Sequence, residues 1–376
     1  MNHIGKIICA RRIEKNWNQE ELSRGICAVS YLSKIEKGKA EPSEEIVRQL
    51  LERLGITLDT QKEKEAGQLA EKAYELVFSA MNQEFIELME DVDPDDYAAT
   101  QYGLDLRILK QLAANDSSPL PKDSGSSAEQ RTKAMIQILS GSAEEAVSLY
   151  PNAWMYLMAG IEAFEKESIQ SSLTYLNTAY AKVAEEGTVR VMLSASLYQY
   201  RCAALQYDYR RMEKTSETAR KIALSLGERN TLFMIEYNMA LACLACGKDE
   251  EAYEFFSSLE KPNRLSLLME AAAAEKTGRY EEAEEAVKKA EKSASGARSA
   301  DLCLRLVQYR LNHPEYLSQG EYGQLLRECY DSLMQEPVGG LEILIVQRLL
   351  EWYQASRQYK KAYELLEEYP SAALKK

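Results

Sequence analysis

The stretch NQEELSRGICAVSYLSKIEKGKAEPS, residues 18–43, decides the fold of the N-terminal part of this chain. Asn18 is a favourable N-cap, and Glu21 three residues later completes a capping-box pattern, so a helix is predicted over residues 19–25. The next five residues turn the chain, and another helix is predicted over residues 31–37. Two short helices joined by a tight turn predict a helix-turn-helix motif.

The second helix of this motif, which Gly38 is predicted to end, can be divided into two faces by its helical repeat. Leu32 and Ile35 are apolar and three residues apart, so they are predicted to point inward with Ala28. The outer face carries hydroxyls, which can bond base edges or phosphates, and lysines, which neutralise the DNA backbone. Gln19 could touch a phosphate or brace this helix. The predicted DNA-contacting residues are Gln19, Val29, Ser30, Tyr31, Ser33, Lys34 and Lys37.

Two more predicted helices flank the motif and complete a domain over residues 1–60. One spans residues 4–15, with Ile4, Ile7 and Ile8 on one face. The other spans residues 43–54, after Pro42, and carries a core-closing apolar stripe. That stripe consists of Ile46, Val47, Leu50, Leu51 and Leu54. The alternative is one more helical hairpin whose surface charges are merely solvated.

Charge is unevenly distributed along the 376 residues, whose net charge is −13. Residues 1–58 hold ten Lys and Arg against eight Asp and Glu, so the remainder carries a net charge of −15. Within residues 1–39 the balance is eight basic to four acidic. A surface that faces nucleic acid is therefore predicted in the N-terminal domain, because the rest of the chain would be repelled by DNA.

The remainder reads as helices, with residues 61–92 predicted as one linker helix and residues 93–376 as a series of helical hairpins. The clearest repeat places Gly278, Ala283 and Val287 each 31 residues after Gly247, Ala252 and Phe256. Tetratricopeptide units run near 34 residues, so five to seven slightly short units are predicted, stacked as a right-handed solenoid with a concave face. The segment over residues 115–127, rich in Ser, Pro and Gly, is predicted to be an exposed loop.

Residues 18–43 resemble the phage-repressor and xenobiotic-response-element (XRE) class of helix-turn-helix domains. The resemblance is carried by Gln19, Glu20, Leu22 and the run over residues 31–38. The compact turn over residues 26–30, together with the helical repeats, resembles the PlcR/NprR/Rgg/PrgX/Rap superfamily of quorum-sensing peptide-pheromone regulators. This resemblance implies a homodimer on an inverted-repeat operator, with a short signalling peptide bound in the repeat groove. The two recognition helices would then lie about 34 Å, or a multiple of it, apart.

The predicted peptide-binding residues follow from the register of the repeats. Tyr237 and Asn238 fall midway along the first helix of a hairpin, where the concave face lies, and an Asn amide can pair with a peptide N–H and C=O together. The same register in other hairpins selects polar side chains on the same face. The candidates are Arg201, Tyr237, Asn238, Gln347 and Gln354. The alternative for each one is an ordinary solvated or inter-helix polar residue.

Other classes of protein find little support in the sequence. No membrane-spanning run and no export signal are visible, so a cytoplasmic location is expected. Cys243 and Cys246 form a C-x-x-C that sits inside a helix without a second pair, so packing is favoured over a metal site. No cofactor, metal or catalytic constellation is apparent, and no enzymatic activity is expected. A competing hypothesis is a repeat module that docks and sequesters a partner regulator.

Overall fold

The computed structural model describes residues 2–56, 59–98, 100–116, 118–120, 128–206, 208–293, 298–335 and 341–368. Regular structure in these ranges is helical, which confirms the all-α class. The α-helices are α1 (Asn2–Glu14), α2 (Gln19–Ser23), α3 (Val29–Glu36), α4 (Glu44–Leu54), α5 (Thr60–Phe78), α6 (Asn82–Glu90), α7 (Gly103–Ala113), α8 (Gln130–Leu139), α9 (Ala143–Leu149), α10 (Ala153–Glu165), α11 (Ile169–Glu186), α12 (Val189–Leu205), α13 (Tyr209–Leu226), α14 (Arg229–Ala245), α15 (Asp249–Ser257), α16 (Arg264–Lys276), α17 (Tyr280–Lys292), α18 (Arg298–Asn312), α19 (Gly320–Gln335), α20 (Leu341–Ala355) and α21 (Tyr359–Glu368).

The chain divides into two compact units, Met1–Tyr198 and Gln199–Lys376, which are described separately below. The first contains helices α1–α11 and the beginning of α12. The second contains the end of α12 and helices α13–α21. The Ser-, Pro- and Gly-rich stretch predicted as a loop lies largely outside the described residues, as does the end of the chain.

Helices α1–α4 form the head, a small domain around one apolar core. That core contains Ile7, Ile8, Leu22, Leu32, Ile35, Leu50, Leu51, Leu54 and Ile56. The predicted capping box is present: the Asn18 side chain accepts a hydrogen bond from the Glu21 backbone N–H at 2.8 Å, and the Glu21 carboxylate accepts one from the Asn18 backbone N–H at 2.6 Å. The predicted four-helix order of the head is confirmed.

One core prediction in the head is wrong. Helix α3 begins at Val29, two residues earlier than predicted, and Ala28 is its N-cap with an extended backbone (φ −66°, ψ 142°). Because Ala28 precedes the first helical turn, its side chain does not follow the periodicity that buries Leu32 and Ile35. Ala28 is exposed and does not belong to the core.

The long linker helix predicted after the head is in fact two helices, α5 and α6. Ala80 adopts a positive φ of 54° after the end of α5, and the Met81 backbone N–H donates to the Leu76 carbonyl at 2.9 Å. This is the hydrogen-bond pattern of a Schellman motif, which closes a helix through a left-handed residue. Glycine normally marks such an ending, and alanine at this position concealed it in the sequence.

In the first unit, the helices after the linker pack as consecutive pairs, with α8 against α9 and α10 against α11. Helices α10 and α11 approach closely at Gly160, where an added Cβ would lie 2.7 Å from the Leu176 side chain. The Ser172 hydroxyl donates a hydrogen bond to the Gly160 carbonyl at 2.7 Å. The close packing of the two helices therefore favours a glycine at this crossing.

In the second unit, the predicted repeat is present as helix pairs α14/α15 and α16/α17. Gly247 and Gly278 both occupy the turn between paired helices with positive φ, at 75° and 77°. Ala252 and Ala283 are fully buried one turn later, where the helices cross. Together with pairs α18/α19 and α20/α21, this confirms helical hairpins of the tetratricopeptide type in the described part of the second unit.

Helix α16 is the central helix of the second unit. Every residue of its second half from Ala271 to Glu275 is buried, and it packs against α15, α17 and α18. A helix buried on all sides belongs to the interior of a bundle rather than to an open groove. The inner side of these hairpins is therefore not open to solvent at α16.

Candidate nucleic-acid interface

The outer face of α3 is the candidate nucleic-acid interface. Ser30, Lys34 and Lys37 are exposed, and Val29 retains 42% of its surface. Ser33 and Tyr31 are half-buried at the edges of this face. The Tyr31 hydroxyl donates to the Glu41 carbonyl at 3.1 Å, so it also holds the segment that follows the helix.

A buried carboxylate fixes the orientation of α3. Glu36 is 3% exposed and accepts hydrogen bonds from Arg12 Nε at 2.6 Å and Arg12 Nη2 at 2.9 Å. It also accepts one from Gln19 Nε2 at 2.6 Å, so of its two predicted roles Gln19 takes that of a brace. These bonds join α1, α2 and α3, and bidentate charge-assisted pairs constrain geometry strongly.

Arg12 and Glu36 were missed as functional residues in the sequence. Both resemble surface charges of an amphipathic helix, and only the fold reveals that they face each other. The sequence indicated this pair only through the opposite charges of the two residues, which lie on two helices whose apolar stripes face each other. Because both side chains are largely buried, the pair positions the outer face of α3 without touching a ligand itself.

Lysines at the end of α3 have no acidic partner among the described residues. Neither Lys34 nor Lys37 takes part in an ion pair, and the same holds for Lys39 just beyond the helix. Some other cations of the same unit do take part in ion pairs, as Arg131 does with Glu71 at 2.5 Å. Unpaired lysines beside hydroxyls on a rigid, exposed helix can neutralise phosphates without first breaking an intramolecular pair.

Two of the predicted peptide-contacting residues lie on α14, beside an aromatic cluster. Tyr237 is half-buried, with ring centroids 5.4 Å from Phe256 and 6.0 Å from Phe233, and burial raises the pKa of its hydroxyl. Asn238 is exposed, and its backbone carbonyl accepts a hydrogen bond from the Tyr200 hydroxyl at 3.0 Å. That bond joins α14 to α12, where Arg201 is also exposed.

The remaining two candidates, Gln347 and Gln354, are on α20. The Gln347 amide donates to the Ala245 carbonyl at the end of α14, so it acts as an inter-helix polar residue in this structure. Gln354 lies two turns later and is exposed. Sequence reasoning overlooked Phe233, which is 48% exposed and lies four residues before Tyr237 on the same face of the helix.

No group of three or more potential metal ligands occurs among the described residues. Cys243 is buried and Cys246 half-buried inside the second unit, and neither forms a disulfide with another described residue. Among the described helices, none has the length and apolar character needed to cross a bilayer.

Comparison with known proteins defines the class of the head. Residues 10–61 match the helix-turn-helix family, and the arrangement of α2 and α3 is the one that this motif requires. The head is therefore a helix-turn-helix domain. Because 52 of the 376 residues are covered, this match concerns the head and not the helical hairpins.

A solved structure is similar over a larger share of the chain. It is the crystal structure of Bacillus thuringiensis PlcR in complex with the peptide PapR7 and DNA, with 15% sequence identity, covering 83% of this chain and 99% of that chain. Its TM-score of 0.28 is too low to indicate a shared function. No curated protein sequence matches the chain.

Proposed function

We propose that this protein is a DNA-binding transcription regulator that reads its operator with α3. The observation that supports this most directly is the outer face of α3, where exposed hydroxyls and unpaired lysines are held by the buried Arg12–Glu36 pair. The helix-turn-helix match of the head agrees with it. The regulator would work as a homodimer on an inverted repeat, because two-fold symmetric operators mirror the symmetry of the proteins that bind them.

The proposal predicts a large loss of DNA affinity when the two α3 lysines are removed. Changing Lys34 and Lys37 to Ala together should weaken operator binding at least tenfold and lower the slope of log K against log salt by about four, since each lost phosphate contact removes about one unit and the homodimer carries two copies of each lysine. Fluorescence anisotropy with promoter DNA upstream of the gene, measured at several salt concentrations, gives both quantities.

A matched control is available in the exposed lysines Lys64 and Lys261, which make no described ion pair. The double change of these two residues to Ala alters the net charge equally but leaves α3 intact. It should change the affinity less than twofold. Equal losses for the two double variants would show that general charge, and not α3, governs binding.

We propose further that a short signalling peptide binds the face formed by α12 and α14 and controls DNA affinity. Support comes from an exposed Asn238 amide, which can pair with an extended backbone, beside the aromatic cluster around Tyr237. The peptide would have to prefer one conformation of the protein, because a ligand with equal affinity for both shifts nothing.

The peptide proposal predicts that Asn238→Ala weakens peptide binding about tenfold, because the lost amide leaves backbone groups of the peptide unpaired. The probe is a synthetic peptide taken from the C-terminus of a small exported open reading frame beside the gene, and titration calorimetry measures its affinity. Asn82→Ala, an exposed change on α6, is the control and should leave the affinity unchanged. Unaltered affinity of the Asn238 variant would exclude this face.

A second candidate function is a docking module that sequesters a partner regulator without needing DNA. The exposed apolar side chains of Phe233 and Met234, 48% and 56% accessible, favour this alternative. The two functions differ in what the lysine variants do, because a docking module would keep its activity in cells when Lys34 and Lys37 are changed. Neither function includes catalysis, and we propose that the protein is not an enzyme.

A further inference from the structure

One stripe of α1 faces away from the core of the head and toward the helices that follow it. Lys6, Ala10 and Glu14 are spaced four residues apart, so they share this stripe, whereas Ile7 and Ile8 are buried in the head core. Two ion pairs connect this stripe to the part of the chain that follows the head. Lys6 Nζ lies 2.6 Å from the Glu129 carboxylate, just before α8, and Glu14 lies 3.4 Å from Arg107 of α7.

A polar cavity of about 140 Å³ adjoins the Lys6–Glu129 pair. From α1 it is lined by Lys6 and Ala10, and from the opposite side by charged residues that include Asp105, Glu129 and Arg131. A water molecule occupies about 30 Å³ in the liquid, so the cavity has room for several. The contact between α1 and its neighbours is therefore polar and roomy rather than tightly packed.

The side of this contact opposite α1 is rigid. Asp105 is buried and accepts hydrogen bonds from the Tyr74 hydroxyl and from the Thr132 hydroxyl, the latter at 2.8 Å. Arg131 stacks on the Tyr74 ring at 3.9 Å and pairs with Glu71, which fixes α5, α7 and α8 together. Any movement at this contact is thus a movement of the head against a fixed surface.

The attachment of α1 to that surface is weak by comparison. The side chains of Lys6 and Glu129 are 28% and 67% exposed, and Arg107 is closer to Asp95, at 2.8 Å, than to Glu14. An ion pair of this exposure shifts an equilibrium by about fivefold at most, because solvent screens it. Breaking these ion pairs therefore costs little free energy, which is compatible with a switch.

We propose that the Lys6–Glu129 pair, with Glu14–Arg107, is an electrostatic latch whose closed arrangement, seen here, lowers the affinity of the head for DNA. In the closed latch the Lys6–Glu129 pair neutralises one of the eight cations of residues 1–39, and the head is held beside the rest of the first unit, where residues 59–198 carry 11 basic against 23 acidic side chains, a net charge of −12 that repels phosphates. Opening it releases Lys6 and lets the head move away from that charge. The inference rests on the proposed DNA-binding function and names a regulation of it.

The test uses the full chain and three variants. Glu129→Lys turns the main pair into a repulsion. Glu75→Lys is the matched control, since Glu75 is 66% exposed, is paired with Lys72 on α5, and undergoes the same charge change. The charge swap Lys6→Glu with Glu129→Lys restores an attractive pair with the original net charge.

The first readout needs no DNA. Spin labels attached through unnatural amino acids at the exposed positions Arg48 of α4 and Glu145 of α9 report the distance between the head and the surface it contacts. Pulsed electron paramagnetic resonance should give one narrow distance distribution for the native chain, the Glu75 variant and the charge swap. It should give a broad or displaced distribution for Glu129→Lys. An unchanged distribution in Glu129→Lys overturns the latch, whatever happens with DNA.

The second readout is operator affinity. Glu129→Lys should bind DNA two- to fivefold more tightly than Glu75→Lys, since both add the same charge and only the first opens the latch. Equal affinities for these two variants, with an open distance distribution in the first, overturn the coupling of the latch to DNA binding. If the native chain and both variants bind no DNA, the proposed function fails. In that case the claim that the closed latch lowers DNA affinity falls with it, although the distance measurement still decides whether the ion pair holds the head.

Discussion

Replacing Gly5 with Ala is expected to destabilise the head by about 3 kcal/mol, the upper end of the usual cost of overpacking, and to abolish DNA binding. In an ordinary exposed helix this change would stabilise by about 1 kcal/mol, because Ala has the better helix propensity. Here an added Cβ would lie 2.1 Å from the Ile35 carbonyl oxygen and 2.9 Å from its carbon. The clashing atoms belong to the backbone of α3, so no side chain can rotate away, and α1 and α3 must separate.

The measurement is thermal or urea unfolding followed by the fluorescence of Trp17, the tryptophan packed against the head core, together with operator binding. Gly320→Ala is the matched control, because Gly320 begins helix α19 and nothing lies within 4 Å of a Cβ added there. The control should keep both the Trp17 transition and DNA binding. A Gly5 variant that unfolds like the native chain would show that α1 and α3 do not approach as closely as described.

The features of the fold that could be predicted from the sequence are those whose causes lie within a short stretch of chain. The capping box of Asn18 and Glu21 was found in the sequence because both residues belong to one turn of chain, and so were the glycine-ended hairpins at Gly247 and Gly278. The break at Ala80 was not found, because alanine has no preference for a left-handed backbone and tertiary packing decides its conformation.

The candidate sites follow the same rule. The outer face of α3 could be predicted, since helical periodicity alone separates Lys34 from the buried Leu32. The role of Glu36 in bracing α3 could not be predicted, because its partner Arg12 is 24 residues away. The sequence alone does not distinguish a buried ion pair from one that is exposed to solvent. Gln347 shows what could not be predicted in the helical hairpins. Its position in the repeat placed it on an inner face, but its amide donates to the end of α14, against which α20 packs.

Long-range charge pairing in the second unit has the largest expected effect on stability outside the head. Glu275 of α16 is 9% exposed and accepts hydrogen bonds from Arg310 Nε of α18 at 2.8 Å and from Arg348 Nη2 of α20 at 3.1 Å. The two arginine side chains are only 8% and 5% exposed. One carboxylate therefore holds two buried guanidinium groups and joins three helices.

Glu275→Gln should lower the free energy of unfolding of this unit by about 3–5 kcal/mol, because it leaves two desolvated cations facing a neutral amide of nearly the same shape. Denaturant unfolding followed by Trp352, which lies in α20, reports on the unit directly. The matched control is Glu250→Gln, which breaks an exposed pair with Arg279 at 2.9 Å and should leave the free energy of unfolding nearly unchanged.

One further variant separates the loss of charge from the loss of packing. Changing Arg348 to Met together with Glu275→Gln removes one of the stranded cations and should recover part of the stability, since an unpaired buried charge costs more than a missing pair. If Glu275→Gln alone were no more harmful than Glu250→Gln, the guanidinium groups would have to find water or another acidic partner. Helix α16 would then be accessible to water, contrary to what the burial of its residues indicates.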